Sequence, residues 1–331
     1  MHPELHTTDD VFRQQRKHMR DLLEQDGLVL MEAAVVERLR RAAGVHLHPT
    51  LVHAPLIYDA TGRSALARIY KDYIDIACAA GRPFLMCAPT WRANRARVSD
   101  ADIPHAINVD AVDFMREVRD AQGAAGAAIR IGGVVGCKND CYRPAEGLGT
   151  PEAEQFHAWQ IEELAGAEVD FLIAETLPSV AEAVGVARAM QTTGVPYIIS
   201  FVISRDGRVL DGTGLAEAID LVDSGTGRSA LGFMVNCAYP SFLCADEQPG
   251  SVFERLIGFL ANASALDQCD LDGAERLQAE SVTEWGELML RLHRVHGVRI
   301  LGGCCGTGRQ HLQYLVDREP GGSGRQPSVS R

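Results

Sequence analysis

Two stretches far apart in the chain carry the residues best suited to do chemistry. The first is Val298-Arg299-Ile300-Leu301-Gly302-Gly303-Cys304-Cys305-Gly306-Thr307, an apolar run entering a glycine-flanked pair of cysteines. On a regular strand two successive side chains point to opposite faces, so neighbouring cysteines could not share a ligand. The flanking glycines remove that objection, because they let the backbone turn sharply and reach positive φ. The second stretch, Gly232-Phe233-Met234-Val235-Asn236-Cys237, also ends an apolar run on a cysteine, 67 residues before Cys304. Buried unligated cysteines are the bland reading, and for Cys237 alone the preferred one. Three cysteines at two strand ends, however, are what a thiolate-rich zinc site needs, and three protein ligands leave a tetrahedral ion one open position. Zn²⁺ with three thiolates carries a net charge of −1 and is a weak Lewis acid toward water. It is suited to taking an incoming thiol and lowering its pKa. The chemistry implied is alkyl transfer to sulfur.

Something must bring two such distant strand ends together. Short apolar runs alternate with helical patterns along most of the chain, and the runs near Leu28–Met31, Phe84–Cys87, Ala128–Val135, Val169–Ala174, Pro196–Val202, Ala230–Val235, Leu256–Leu260 and Val298–Leu301 read as strands. Strands alternating with helices imply parallel βαβ units. Eight of them predict an α/β fold of the (β/α)8 TIM-barrel type, whose active sites lie at the C-terminal ends of the strands. The unusual polar residues gather at those ends: Glu32, Thr90, Glu175, Asn236, Cys237, Asn262, Cys304 and Cys305. Residues 1–27 read as a helical lead-in (Thr8 to Gln25), 28–318 as the barrel and 319–331 as a flexible tail, from the Gly-Gly-Ser-Gly composition at Gly321–Gly324. A helix is predicted over Glu32 to Ala43. The long glycine-rich loop Gly136 to Pro151, which holds Cys137 and Cys141, is a candidate lid.

Composition sets limits on partners. The chain has 331 residues with 46% hydrophobic and 23% charged content, as in ordinary globular proteins. A net charge of −12 argues against a nucleic-acid or anionic-membrane surface. No apolar run is long enough to span a bilayer, and Met1–His6 lacks the pattern of a secretory signal. Nine cysteines, an odd number scattered through the chain, fit reduced thiols and a cytoplasmic location better than a disulfide framework. The expected partners are therefore small molecules, a thiol and a methyl donor, with subunit number open. His46, His48 and His53 read as polar loop residues, and Gly212-Thr213-Gly214 is too short a motif for a phosphate loop.

Between about Leu28 and Val316 the chain resembles the zinc-dependent homocysteine S-methyltransferases. The resemblance is carried by Thr90-Trp91-Arg92-Ala93-Asn94, Val169 to Thr176, Asp211-Gly212-Thr213, Asn236-Cys237 and Gly302 to Thr307. It implies a (β/α)8 barrel and Zn²⁺ on Cys237, Cys304 and Cys305. It further implies substrate contacts at Glu32, Thr90, Glu175 and Asn236, with Glu175 taking the substrate ammonium, and methionine as the product. One stretch departs from the family pattern. Where the family has Asp-Gly-Gly or Asp-Gly-Ala followed by Met-Gly-Thr, this chain has Glu32-Ala33-Ala34-Val35-Val36-Glu37. Added Cβ atoms there restrict the backbone, and Arg92 stands where the family commonly has glycine. Two alternatives stay open: the same transfer to a different thiol, and a catalytically silent zinc-binding barrel.

Overall fold

The computed structural model describes residues 8–25, 27–266 and 280–319. The expected flexible tail from residue 320 on, and Cys269, lie outside the described residues. All eight predicted strands form: β1 (Val29–Met31), β2 (Phe84–Cys87), β3 (Ile129–Gly136), β4 (Phe171–Leu177), β5 (Tyr197–Phe201), β6 (Gly232–Ala238), β7 (Leu256–Ala261) and β8 (Ile300–Gly303). They pair in parallel, each with the next, and β8 closes on β1. The helices of the described residues are α1 (Thr8–Glu24), α2 (Val36–Arg40), α3 (Ala60–Ala79), α4 (Arg95–Asp100), α5 (Ile107–Asp120) and α6 (Thr150–Gly166). They continue as α7 (Val180–Thr192), α8 (Leu215–Thr226), α9 (Gly250–Phe253), α10 (Val282–His296) and α11 (Arg309–Arg318). None is long and apolar enough to cross a membrane.

Strand parity sorts the apolar residues into two layers. One set, including Val29 and Met31, Phe171 and Ile173, Met234 and Ile300, forms a cluster inside the barrel. The other set packs outward against the helices. Gly132 and Gly258 make room for large inward neighbours: a Cβ would come within 2.5 Å of the Phe171 ring at one and 2.6 Å of the Met234 methyl at the other. The lead-in helix α1 closes the N-terminal end of the barrel. Its Met19 is fully buried in the inner cluster, with Leu22 and Leu23 alongside, and Arg16 donates to the Ser229 carbonyl at 3.1 Å. Burying Met19 in this way stabilises the fold by roughly 2 kcal/mol.

Helix ends follow local chemistry. Asp59 accepts the Gly62 N–H at 2.6 Å to start α3, and Ser281 accepts that of Glu284 at 3.1 Å to start α10, both side-chain caps on otherwise unpaired donors. Helix α10 stops at Gly297, φ 74°. The predicted helix over Glu32 to Ala43 shrinks to α2. Residues 32–34 instead run as irregular backbone, in which the Glu32 carboxylate accepts the Cys87 N–H at 2.6 Å. That bond ties the first strand end to the second.

Candidate metal and substrate site

The strand ends of β6 and β8 bring Cys237, Cys304 and Cys305 together, with all three sulfurs within 4.8 Å of one another. They are the one group of three potential ligands found among the described residues. Cys237 is buried, Cys304 half-buried and Cys305 exposed, so the cluster opens outward on one side. Two different backbone devices aim the sulfurs. On β6 the register shifts between Asn236 and Ala238, and Cys237 itself adopts φ 55°. This left-handed conformation is costly for a residue with a Cβ, and the bulge turns its side chain out of strand parity.

On β8 the glycines play a different part from the one expected of them. Gly302 and Gly303 lie within the strand, and only Gly306, φ 81°, takes the left-handed turn. The first two are needed for close approach: a Cβ on Gly302 would lie 2.7 Å from the Glu32 carbonyl oxygen, and one on Gly303 would collide with Thr307. The double-cysteine turn is then pinned from both sides. Cys304 N–H donates to the Ala261 carbonyl at 2.7 Å and Ala263 N–H to that of Cys305 at 2.9 Å. The Thr307 hydroxyl donates to the Cys304 carbonyl at 2.6 Å and accepts the Ala34 N–H at 3.3 Å.

Hydrogen bonds from Cys237 and Cys304 hold the Cys305 thiol well below the usual thiol range. Cys237 donates to Cys304 as well as to Cys305, and those two bonds, with burial, push it well above that range. One thiolate is thus stabilised at the expense of its neighbours, and three together need a cation. The donor set fits zinc in chemistry and number: three sulfur ligands, each bound at about 2.3 Å, would leave a tetrahedral ion one open position. Across the mouth, the phenol of Tyr142 is pushed up, most strongly by the charge of Cys237 and next by burial.

The inward parity of Phe171 and Ile173 continues to Glu175 at the exit of β4. Burial raises the Glu175 carboxyl from 4.5 to about 7. Glu32 is raised well above its ordinary value, first by burial and then by the charge of Glu175. Two carboxyls thus share a desolvated space with too little positive charge, a place ready for a cation. Asn236 links the cysteine cluster to the carboxylate side, preceding Cys237 in the chain and bonding Thr176 beside Glu175. Its amide oxygen accepts the Thr176 N–H at 2.9 Å and the Ser200 hydroxyl at 2.8 Å. Thr176 has φ 57° at a register shift in β4, so Asn236 stabilises the irregular strand end beside Glu175 while its neighbour Cys237 forms the irregular end of β6. Thr90 is fully buried and donates to the Val134 carbonyl at 2.7 Å. The Trp91 indole N–H donates to the Thr176 hydroxyl at 2.8 Å.

Arg92 stacks over Trp91, 4.9 Å from the ring centre, and donates to the carbonyls of Cys137 at 3.0 Å and Asn139 at 2.8 Å. It ties the β2 and β3 loops together. Asp211, in the Asp-Gly-Thr stretch, accepts the Val180 N–H at 2.7 Å and caps α7. His48 closes a turn through the Thr50 and Leu51 N–H groups. The residue that sequence reasoning passed over is Glu182, fully buried on α7. The signal was available: it is the one acidic residue in the otherwise apolar run Val180–Val186.

The homocysteine S-methyltransferase family model matches residues 28–318. The homocysteine S-methyltransferase YbgG of Bacillus subtilis (strain 168) is 23% identical over 316 residues, covering 89% of this chain and 95% of that protein. The S-methylmethionine–homocysteine S-methyltransferase BHMT2 of Pongo abelii is 27% identical and the betaine–homocysteine S-methyltransferase 1 of Rattus norvegicus 28% identical. Each of those two alignments covers 64% of this chain, but only 59% and 53% of the respective relatives. The fold matches that of the homocysteine methyltransferase MmuM from Escherichia coli in its metallated form, with a TM-score of 0.67 at 18% identity. That match covers 92% of this chain and all of the other.

Proposed function

The chain belongs to the homocysteine S-methyltransferase family, and from that membership we propose that it moves a methyl group from a sulfonium or ammonium donor to homocysteine, giving methionine. The observation that carries this reading is the convergence of three sulfurs within 4.8 Å at a barrel mouth that also holds Glu175, a carboxyl raised to about 7. Cys237, Cys304 and Cys305 would hold the zinc. When bound there, zinc supplies a site for the substrate sulfur and lowers its pKa without activating water. Glu175 binds the substrate ammonium by a charge-assisted hydrogen bond, with the Glu32 carboxyl close enough to feel its charge. Asn236 and Thr90 act through the backbone they hold, Asn236 at Thr176 and Thr90 at Val134. The S–CH3 bond forms as the donor's bond to its methyl carbon breaks in line. The thiol proton goes to solvent, and the positively charged donor departs neutral.

Methyl transfer from S-methylmethionine, S-adenosylmethionine and betaine to a panel of thiols tests the reading. It predicts homocysteine as the preferred acceptor and loss of zinc and activity together when any of the three cysteines becomes Ala. Full transfer by zinc-free protein would overturn it. Wide preference for another thiol would favour the reading suggested by the first loop, where Ala34 N–H is already committed to Thr307.

A further inference from the structure

The loop between β3 and α6 was expected to be a lid, yet its two feet are tied down by buried charge. The Glu182 carboxylate accepts the Lys138 N–H at 2.9 Å on one foot and the Leu148 N–H at 3.2 Å on the other. It also accepts the His157 Nε2 hydrogen at 3.0 Å, from a residue as deeply buried as itself. On the opposite side the carbonyls of Cys137, Lys138 and Asn139 are taken by guanidinium groups, the first and third by Arg92 and the second by Arg97 at 3.0 Å. Burial by itself would raise the Glu182 carboxyl; the donors from His157, Lys138 and Leu148 outweigh it and hold the group below the ordinary range. It is therefore an ionised group, spent on two backbone amides and an imidazole.

The first foot leads directly to the substrate side. Gly136 N–H donates to the Trp91 carbonyl at 3.0 Å, and a Cβ on Gly136 would lie 2.6 Å from the indole. The Trp91 indole holds the Thr176 hydroxyl, and Thr176 follows Glu175. A shift of the loop feet is therefore passed through two tight contacts to the carboxylate that faces the substrate.

We propose that Glu182 is a positioning residue for the transfer reaction: its carboxylate buckles both feet of the β3–α6 loop and so sets where Trp91 and Thr176 hold Glu175. The inference rests on the methyl-transfer reading for its kinetic arm alone, because amide exchange is read without turnover. The experiment is Glu182→Gln in the zinc-loaded full chain. An amide can neither accept all three donors nor avoid setting its own NH2 against one of them. Hydrogen exchange in peptides covering residues 136–149 accelerates about tenfold or more, while the outer helices exchange as before. KM for the amino-acid thiol rises about tenfold, kcat changes by less than about threefold, and bound zinc is unchanged. Should Glu182→Gln fail to fold, Arg92→Met keeps the stem over Trp91, removes two ties to the same loop and shows the same pattern at smaller amplitude. Unchanged loop exchange in a folded variant overturns the proposal, and so does faster exchange with an unchanged KM.

Discussion

The sulfurs of Cys237 and Cys304 lie 2.7 Å apart although 67 residues separate them in the chain. Two strand ends do this by unlike means, a left-handed cysteine at a bulge in β6 and a glycine-lined approach in β8. Their convergence is a property of the strand order, since β7 alone separates the two strands. As thiols the sulfurs share a proton donor; as thiolates they would repel one another and need positive charge between them. A divalent cation bound by all three cysteines would supply it.

Replacing any one of Cys237, Cys304 and Cys305 with Ala leaves two sulfur ligands. Zinc retention against a chelator is expected to fall by at least about a hundredfold, with transfer lost in parallel, because the ligand count drops below that of a catalytic site. Cys237→Gly is also expected to lose zinc, yet to be more stable than Cys237→Ala by about 1 kcal/mol, since glycine adopts φ 55° without strain. Denaturant titration of the apo-proteins measures the difference.

Gly303→Ala places a Cβ against Thr307, whose hydroxyl secures the Cys304 carbonyl. Expected are a loss of about 2–4 kcal/mol in stability and weakened zinc binding, even though no ligand has changed. Wild-type zinc affinity in this variant would show that the turn does not depend on that contact.

The Glu175 carboxyl, at about 7 rather than 4.5, gives the site a pH dependence of defined sign. Between those values the folded protein keeps a proton that the unfolded chain has released, so stability falls as pH rises across that window. Ammonium binding needs the carboxylate, so KM for homocysteine falls as pH rises through about 7. Glu175→Gln raises KM and flattens the profile. A KM that stays constant from pH 6 to 8 in the wild type would argue against an ammonium contact at this residue.

Met19 contributes to stability from the far end of the barrel. Met19→Ala is expected to cost about 2–4 kcal/mol in unfolding free energy, with zinc stoichiometry and KM unchanged under conditions where the protein is folded. A selective loss of zinc would mean that α1 acts on the mouth and not only on the floor.

The barrel and its three sulfurs could be read from sequence because both depend on local pattern: apolar runs of strand length, helical spacing between them, and chemistry-bearing residues at the run ends. Backbone conformation was less accessible. The positive φ at Cys237 and Thr176 comes from bulges that only the neighbouring strands define. The role of Gly302 depends on Glu32 from the first strand end, and that of Gly303 on the turn that folds Thr307 back against it. The apolar run around Glu182 marks it as buried, but which donors meet it, two loop amides and His157, is decided by the fold alone. The Glu32 to Ala43 helix was overestimated because tertiary bonds to Cys87 and Thr307 outweigh helical propensity in that segment.

Zinc X-ray absorption on the loaded protein, before and after homocysteine is added, tests the three-sulfur open site most directly. Three sulfur ligands and one lighter ligand should give way to four sulfurs as the thiol enters the open position. A first shell that already holds four protein ligands and does not change with thiol would contradict it.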